Sequence, residues 1–276
     1  MIKSMYSAVT GLRGHQTMLD VIGNNIANVN TVGFKSSRVV FKDLYYQTLS
    51  AASAPTANSG GSNPMQIGYG STVSSIDLLI TRSGYQQTSR PLDLYISGEG
   101  YFVVEDSTGK QSYTRVGSFD FNSEGALIDS NGNYVLGQIP QITLPATDLE
   151  RIIIPNFENY TGIYVSEDGS VTGTNATTLS IEVLGQVGLA TFSNPNALAQ
   201  DGNMLYTEST SSGAPQYTHP SSATTGSLVS GGLEMSNVDL TKEFTDMIVA
   251  QRGFQANSRV ITTSDQVLEE LVNLKR

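Results

Sequence analysis

Residues 240–268, LTKEFTDMIVAQRGFQANSRVITTSDQVL, lie near the carboxyl end of a chain of 276 residues and have the clearest periodic pattern in it. Its large apolar side chains recur every seven positions, at Leu240, Met247, Phe254, Ile261 and Leu268. Phe244 belongs to an offset row of the same period. Such a repeat, kept over four heptads, is typical of helices that pack along other helices. We call these six residues the carboxyl-terminal stripe.

The amino-terminal stretch MYSAVTGLRGHQTMLDVIGNNIANV, residues 5–29, has the same period. Its apolar repeat, the amino-terminal stripe, consists of Met5, Leu12, Leu19 and Ile26, with Ile22 in an offset row. We predict a helix from about Ser4 to Val29, followed by a turn in which Gly33 adopts a positive φ. The two stripes can pair with each other or with neighbouring copies, and we predict them to be the assembly interface.

An ordinary amphipathic helix on a globular core is the alternative for either stripe. Helices of that kind run about 8–20 residues, whereas the carboxyl-terminal pattern continues from residue 238 to 274 without a proline. At about 1.5 Å per residue it forms a rod of roughly 50 Å. One small domain cannot cover such a rod, so the pattern favours assembly. Ser236 or Asn237 is the predicted amino-terminal cap of this helix.

Between the helical ends the sequence predicts strands and turns. Short β-branched or aromatic runs alternate with turn sequences at residues 122–125, 129–132 and 167–170, each of which contains a glycine. Residues 50–64 are small, polar and interrupted by two prolines, as in a linker. The predicted class is α+β, with coiled-coil-forming terminal helices flanking a central, mainly antiparallel all-β domain. The predicted boundaries are a discontinuous helical assembly domain at 1–34 and 236–276, an extended connector at 35–73, and the β domain at 74–235.

Composition limits the possible functions. The net charge is −10, and the acidic excess lies in the middle of the chain, because residues 1–42 hold five basic side chains and one acidic one. An acidic surface repels phosphates, so nucleic-acid binding is not expected. The absence of cysteine excludes disulfides, thiolate metal sites and cysteine nucleophiles. No apolar run has the length of a membrane span or of the core of a cleavable signal peptide.

The sequence offers no convincing catalytic, cofactor or metal site. His15 and His219 lie in different segments without acids at metal-ligand spacing, and His15 falls on the packed side of the first helix. Residues 129–133 resemble the start of a calcium loop, but Pro140 occupies the position of the closing glutamate. A secreted carbohydrate-binding or hydrolytic β domain is the rival hypothesis, and it would need paired carboxylates such as Asp93 and Glu99.

Three blocks of the sequence resemble the family of bacterial flagellar rod and hook proteins. The most specific match is amino-terminal and includes Asn24, Asn25, Ala27, Asn28, Thr31, Gly33 and Phe34. A central block comprises residues 90–102 and 113–119, and the carboxyl-terminal block runs from Glu234 to Ser258. These matches cover both ends and about half of the middle of the chain.

The resemblance implies a non-enzymatic subunit without cofactors, exported unfolded by the flagellar type III apparatus without a cleavable signal. Its terminal helices would form the inner tube of a hollow helical homopolymer. Implied partners are other copies and other axial proteins, namely rod proteins, the hook cap and the hook-filament junction. The implied location is the extracellular hook or the basal body of the flagellum.

Residues 63–68 and 90–94 are more similar to hook proteins, so the predicted function is a flagellar hook subunit that transmits motor torque. The alternative is the rigid distal rod, because the chain lacks the outer domain of many hook proteins.

Overall fold

A computed structural model describes residues 2–55, 60–138, 149–222 and 224–274 of the chain. The helices are α1 (Ile2–Ala27) and α2 (Leu240–Asn273). The first strands are β1 (Ser37–Asp43), β2 (Tyr46–Ser50), β3 (Met65–Gly68), β4 (Ser71–Leu78), β5 (Tyr85–Gln87), β6 (Leu94–Ser97) and β7 (Tyr101–Glu105). They are followed by β8 (Gln111–Thr114), β9 (Phe119–Phe121), β10 (Leu127–Asp129), β11 (Tyr134–Gln138), β12 (Glu150–Arg151), β13 (Tyr160–Val165) and β14 (Ser170–Asn175). The last are β15 (Ile181–Val187), β16 (Leu189–Thr191), β17 (Ala199–Gly202), β18 (Leu205–Thr207), β19 (Gln216–Thr218), β20 (Ser227–Ser230) and β21 (Gly232–Glu234).

The chain divides into two compact units. Unit 1 contains Met1–Val29, Ser36–Leu79 and Val238–Arg276, and unit 2 contains Asn30–Lys35 and Ile80–Asn237. This confirms the α+β class with a helix at each end of the sequence and antiparallel strands between them. Residues 35–73, which the sequence assigned to an extended connector, contain β1 to β3 and the start of β4.

The helix boundaries lie within two residues of those expected. The predicted cap of α2 was wrong, because Asp239 occupies that position instead of Ser236 or Asn237. Its carboxylate accepts hydrogen bonds from the amides of Thr241 at 2.9 Å and Lys242 at 3.4 Å. An acidic cap accepts hydrogen bonds from these free amides and also interacts favourably with the positive end of the helix, which explains why Asp239 occupies this position.

In unit 1 two antiparallel two-stranded sheets accompany the helices. β1 pairs with β4 from Ser37↔Leu78 to Asp43↔Ser71, and β2 pairs with β3 from Tyr46↔Gly68 to Ser50↔Met65. The ring of Phe41 fills the space beside Gly14 of α1, where a Cβ would lie 2.8 Å from the ring. A larger residue at position 14 would therefore require the Phe41 ring to move.

In unit 2 the main sheet has the strand order β13-β14-β15-β11-β7-β8-β18-β17. Strands β9, β10, β12, β16 and β19 attach to this path, and β20 pairs with β6 and β21 with β5. The buried core includes Phe102, Phe119, Leu127, Val135, Ile154, Val187 and Leu189. Phe102 and Phe119 pack edge to face with ring centroids 5.0 Å apart, a favoured aromatic geometry.

Glycines at the predicted turns adopt the left-handed backbone that those turns need. The φ angles of Gly125, Gly132 and Gly169 are 77°, 85° and 83°, and that of Gly33 is 71°. These four turn predictions are therefore confirmed. The sequence pattern was informative here because glycine alone takes this conformation without a steric penalty.

Candidate assembly interface

Helices α1 and α2 pair antiparallel within unit 1. Asn25 Nδ2 donates a hydrogen bond to Glu243 Oε1 at 3.2 Å. The ring of His15 lies so close to Gly253 that a Cβ there would be 2.5 Å from it, and Asn257 occupies the corresponding space beside Gly11. Along α1 the contacts move forward from residue 11 to 15 to 25, and along α2 they move back by the same numbers of residues, from 257 to 253 to 243. The three contacts therefore belong to one continuous register.

The face of α2 that meets α1 is made of small and polar residues. Glu243, Ala250 and Asn257 are spaced by seven residues, and Ala250 is fully buried. Gly253 lies on the same side and admits the His15 ring. Small residues let two helices approach closely, and the burial of the Glu243 carboxyl raises its pKa above the usual value. Phe254 lies four residues after Ala250, and Ile261 lies four residues after Asn257. The row of large apolar residues therefore borders this small-residue face.

The carboxyl-terminal stripe is only partly covered within the chain. Leu240, Phe244 and Phe254 are exposed by 39%, 51% and 38%. The other stripe residues are half-buried, except Ile22, which is buried: Met5, Leu12, Leu19, Ile26, Met247, Ile261 and Leu268. Exposed apolar surface of this extent is characteristic of an interaction site.

Helix α2 also carries apolar residues that the heptad pattern did not identify. Ile248 and Val249 are 59% and 58% exposed, and Leu271 and Leu274 are exposed at its end. In the observed register Ile2, the first residue of α1, lies level with Gln266, so residues 267–273 extend beyond α1. The heptad analysis missed Ile248 and Val249 because they lie outside both rows.

The amino-terminal family motif has a structural role at the end of α1. Asn25 is 1% exposed; its amide nitrogen donates to the Ser37 carbonyl at 2.8 Å and its oxygen accepts from the Ser37 amide at 3.0 Å. One side chain thus joins α1 to β1 and, through Glu243, to α2. Asn24 is exposed, and its side chain and carbonyl accept hydrogen bonds from Asn28. Ala27 is the last residue of the helix. In unit 2, Phe34 is buried and its amide donates to the Thr31 carbonyl.

Replacing Asn25 with alanine is expected to lower the free energy of unfolding of unit 1 by about 1–3 kcal/mol, because the Ser37 amide and carbonyl lose their partner in a buried place. Loss of helical circular dichroism in denaturant measures this, since both long helices of the described chain belong to unit 1. Asn24→Ala is the matched control, with an expected change of about 0.5 kcal/mol or less. Equal effects of the two substitutions would contradict this role.

Unit 2 contains a buried ion cluster that the sequence analysis missed: Lys35, Arg115 and Glu234. Their side chains are 2%, 6% and 1% exposed. Lys35 Nζ lies 2.6 Å from one oxygen of Glu234, and Arg115 Nη1 lies 3.6 Å from the other. Each member comes from a different family motif. Conventional pattern analysis favours apolar residues for a core, so it gave no signal that these three charges would meet.

Hydrogen bonds fix the cluster. Lys35 Nζ donates to the Thr81 carbonyl at 2.8 Å, Arg115 Nη1 donates to the Gly98 carbonyl at 3.0 Å, and the Ser83 amide donates to Glu234. Burial lowers the pKa of Lys35 below its usual value, and the nearby Glu234 carboxylate opposes that shift. The cluster ties residues 30–35 and the strand before α2 to the β domain.

Two of the acids at possible chemical sites, Asp129 and Asp93, accept hydrogen bonds within the fold. Asp129 accepts hydrogen bonds from the backbone amides of Asn131 and Asn133, which stabilises a turn. Asp93 is buried and accepts from Thr88 at 2.6 Å, whereas Glu99 is exposed. Within the described ranges no group of three or more histidine and acidic side chains could hold a metal ion. Nor is any helix of those ranges long and apolar enough to cross a membrane.

Three family models match the chain. Residues 5–35 match the model described as flagella basal body rod protein, residues 95–173 match flagellar hook protein FlgE/F/G D1 domain, and residues 229–274 match flagellar basal body rod FlgEFG protein C-terminal. The matched segments contain both stripes almost completely and, together, all three residues of the buried ion cluster.

Curated relatives match over the full chain. The flagellar basal-body rod protein FlgG of Bacillus subtilis (strain 168) is 48% identical over 277 residues, with 100% of both chains covered. FlgG of Caulobacter vibrioides is 34% identical over 276 residues, covering 99% of this chain and 100% of that protein. The flagellar hook protein FlgE of Borreliella burgdorferi is 30% identical over 443 positions, with 100% of both chains covered. An alignment so much longer than this chain means that the hook protein contains long additional segments.

Proposed function

Since this chain belongs to the family of flagellar basal-body rod and hook proteins, we propose that it is a subunit of the distal rod, the rigid drive shaft of the basal body. The chain is a structural protein of the flagellum and not an enzyme. The proposal replaces the hook, which sequence motifs favoured. Its support is that relatives named as rod proteins align over the same length as this chain, whereas the hook relative is much longer.

The observation that carries a polymerising role is the exposed carboxyl-terminal stripe. Phe244 and Phe254 occupy a long helix that already pairs with α1, and they remain 51% and 38% exposed. Covering a large apolar side chain fully contributes about 1.5–3 kcal/mol. A filament requires heterologous contacts that do not close on themselves, and two stripes on an antiparallel helix pair provide such a surface.

We infer further that the partners are other copies of the chain and the neighbouring axial proteins, among them rod proteins, the hook cap and the hook-filament junction. Export is assigned to the flagellar type III apparatus. These assignments rest on family membership. Unit 1 is proposed to supply the assembly contacts along the helices.

The hairpin of β2 and β3 is proposed to stiffen the polymer. It presents a group of exposed apolar residues, namely Tyr45, Tyr46, Leu49, Met65 and Ile67. A two-stranded hairpin is marginally stable alone in water, so such a surface is suited to bracing a neighbouring subunit. The loop between the strands includes residues 56–59, which lie outside the described residues.

Polymers of the purified protein are expected to be straight and stiff when imaged by electron microscopy at several salt concentrations. Deleting residues 53–61 is expected to increase their curvature while leaving the melting of unit 2 unchanged, because the deletion lies in unit 1. A shuffled sequence of equal length and composition at 53–61 is the control for loop length. Curved or readily bent wild-type polymers would favour the hook, the second candidate, which the full-length match to a hook protein supports.

A further inference from the structure

One end of the main sheet of unit 2 exposes an apolar surface. We define the sheet-end patch as Tyr164, Leu179, Ile181 and Val183, whose exposed fractions are 40%, 80%, 65% and 54%. Tyr164 pairs with Thr172, which pairs with Val183 on the next strand. Directly opposed residues point to the same side of a sheet. Ile181 is two residues before Val183 on the same strand, so it points to that side as well. Three of the four residues therefore share one face.

The opposite face of these strands packs on the core. Tyr160, Ile163 and Leu184 lie against the buried cluster of unit 2. An antiparallel sheet with one face on the core normally presents polar side chains on the other. Here the outer face carries large apolar residues, and β13 is an edge strand. Apolar residues at an outer face and edge mark a contact surface.

Leu179 adds a second, independent observation. It lies between β14 and β15 with φ of 53°, a left-handed conformation that leucine rarely adopts and glycine or asparagine takes easily. The turn is held by hydrogen bonds from the amides of Leu179 and Thr177 to Asn175. A leucine at this position is unfavourable for two reasons: its backbone is left-handed, and its apolar side chain is exposed to water. Strain of this kind is characteristic of functional positions.

We propose that the sheet-end patch docks on a second copy of this chain, with Leu179 as the anchoring side chain. The charge distribution favours this occupant. Copies with a net charge of −10 repel one another, so they approach best where charge is absent, and residues 170–181 contain no charged side chain. The proposal rests on the proposed polymer, to which it adds a contact between copies of unit 2.

Leu179→Gly is the decisive variant, because it should move folding and assembly in opposite directions. Relief of the left-handed leucine is expected to raise the Tm of the monomer by about 2–4 °C. Loss of the anchor is expected to raise the critical concentration for polymerisation about tenfold or more. Calorimetry of the monomer and sedimentation of the polymer measure the two effects.

Ser221→Gly is the matched control, since Ser221 is also left-handed and exposed but carries no apolar side chain. It should leave the critical concentration unchanged. Ile181→Thr is a second test within the patch, and it should weaken polymerisation without relieving strain. Unchanged polymerisation of both patch variants would overturn the inference while leaving the distal-rod proposal intact. A wild-type protein that forms no polymer at any concentration would overturn both.

Discussion

Replacing Glu234 with alanine is expected to lower the free energy of unfolding of unit 2 by about 3–5 kcal/mol. The substitution leaves Lys35 and Arg115, which are 2% and 6% exposed, without their shared carboxylate. Two buried cations would then lack a compensating charge and would keep only the Thr81 and Gly98 carbonyls as hydrogen-bond acceptors. Lys35→Ala is expected to have a smaller effect, because Glu234 keeps Arg115 as a partner.

Near-ultraviolet circular dichroism during denaturation measures this effect, since Tyr101, Tyr113 and Tyr206 are buried in unit 2. Asp120→Ala provides the control. Asp120 pairs with Arg90 at 2.7 Å, but their side chains are 66% and 54% exposed. A pair in water contributes about 1 kcal/mol or less. If Glu234→Ala costs no more than Asp120→Ala, the buried ion cluster does not stabilise unit 2.

Phe244→Asp is expected to abolish polymerisation while leaving the monomer folded. Phe244 is 51% exposed in the chain, so a carboxylate there remains hydrated in the monomer. Within a polymer the same carboxylate would be buried against apolar side chains, which costs several kcal/mol. Leu19→Asp and Ile261→Asp are expected to block polymerisation as well, with some loss of helix pairing because both residues are half-buried.

Sedimentation and electron microscopy measure polymer formation, and calorimetry measures the melting of unit 2, which should not change. Gln255→Asp is the matched control, because it introduces the same charge at an exposed polar position of α2. Normal filaments from Phe244→Asp and from either half-buried variant would show that the stripes are not the assembly seam.

The sequence predicted the periodic and turn-forming parts of the fold well. The heptads located both helices, and glycines 33, 125, 132 and 169 marked left-handed turns, because each of these signals depends on a few neighbouring residues. The pairing of α1 with α2 could only be offered as one of two options. Its register depends on how Gly11, Gly253 and Asn25 fit partners far along the chain.

The candidate site was predicted only in part. The stripes stay a prediction as the assembly interface. The small-residue face by which α2 meets α1 was missed, since Ala250 and Gly253 carry no strong pattern. The buried ion cluster was missed because isolated lysine, arginine and glutamate residues are usually solvated. The preference for the hook over the distal rod was not supported by the comparisons. Short motifs shared across one family do not distinguish its members, and relatives named as rod and as hook proteins both match this chain over its full length.

The antiparallel register of α1 and α2 also determines when unit 1 can fold. Asn25 and Glu243 are separated by 218 residues, so their contact closes a loop of most of the chain, with a large entropic cost and a slow search. Parts of the main sheet of unit 2 pair strands that are close in sequence, such as β13 with β14 and β14 with β15, and these parts can form earlier. During synthesis, which begins at the amino terminus, α1 has no partner within its own chain until the last 40 or so residues, which form α2, have been made. Consequently, the helix pair is completed only in a full-length subunit, and unfinished chains do not present the assembled stripes.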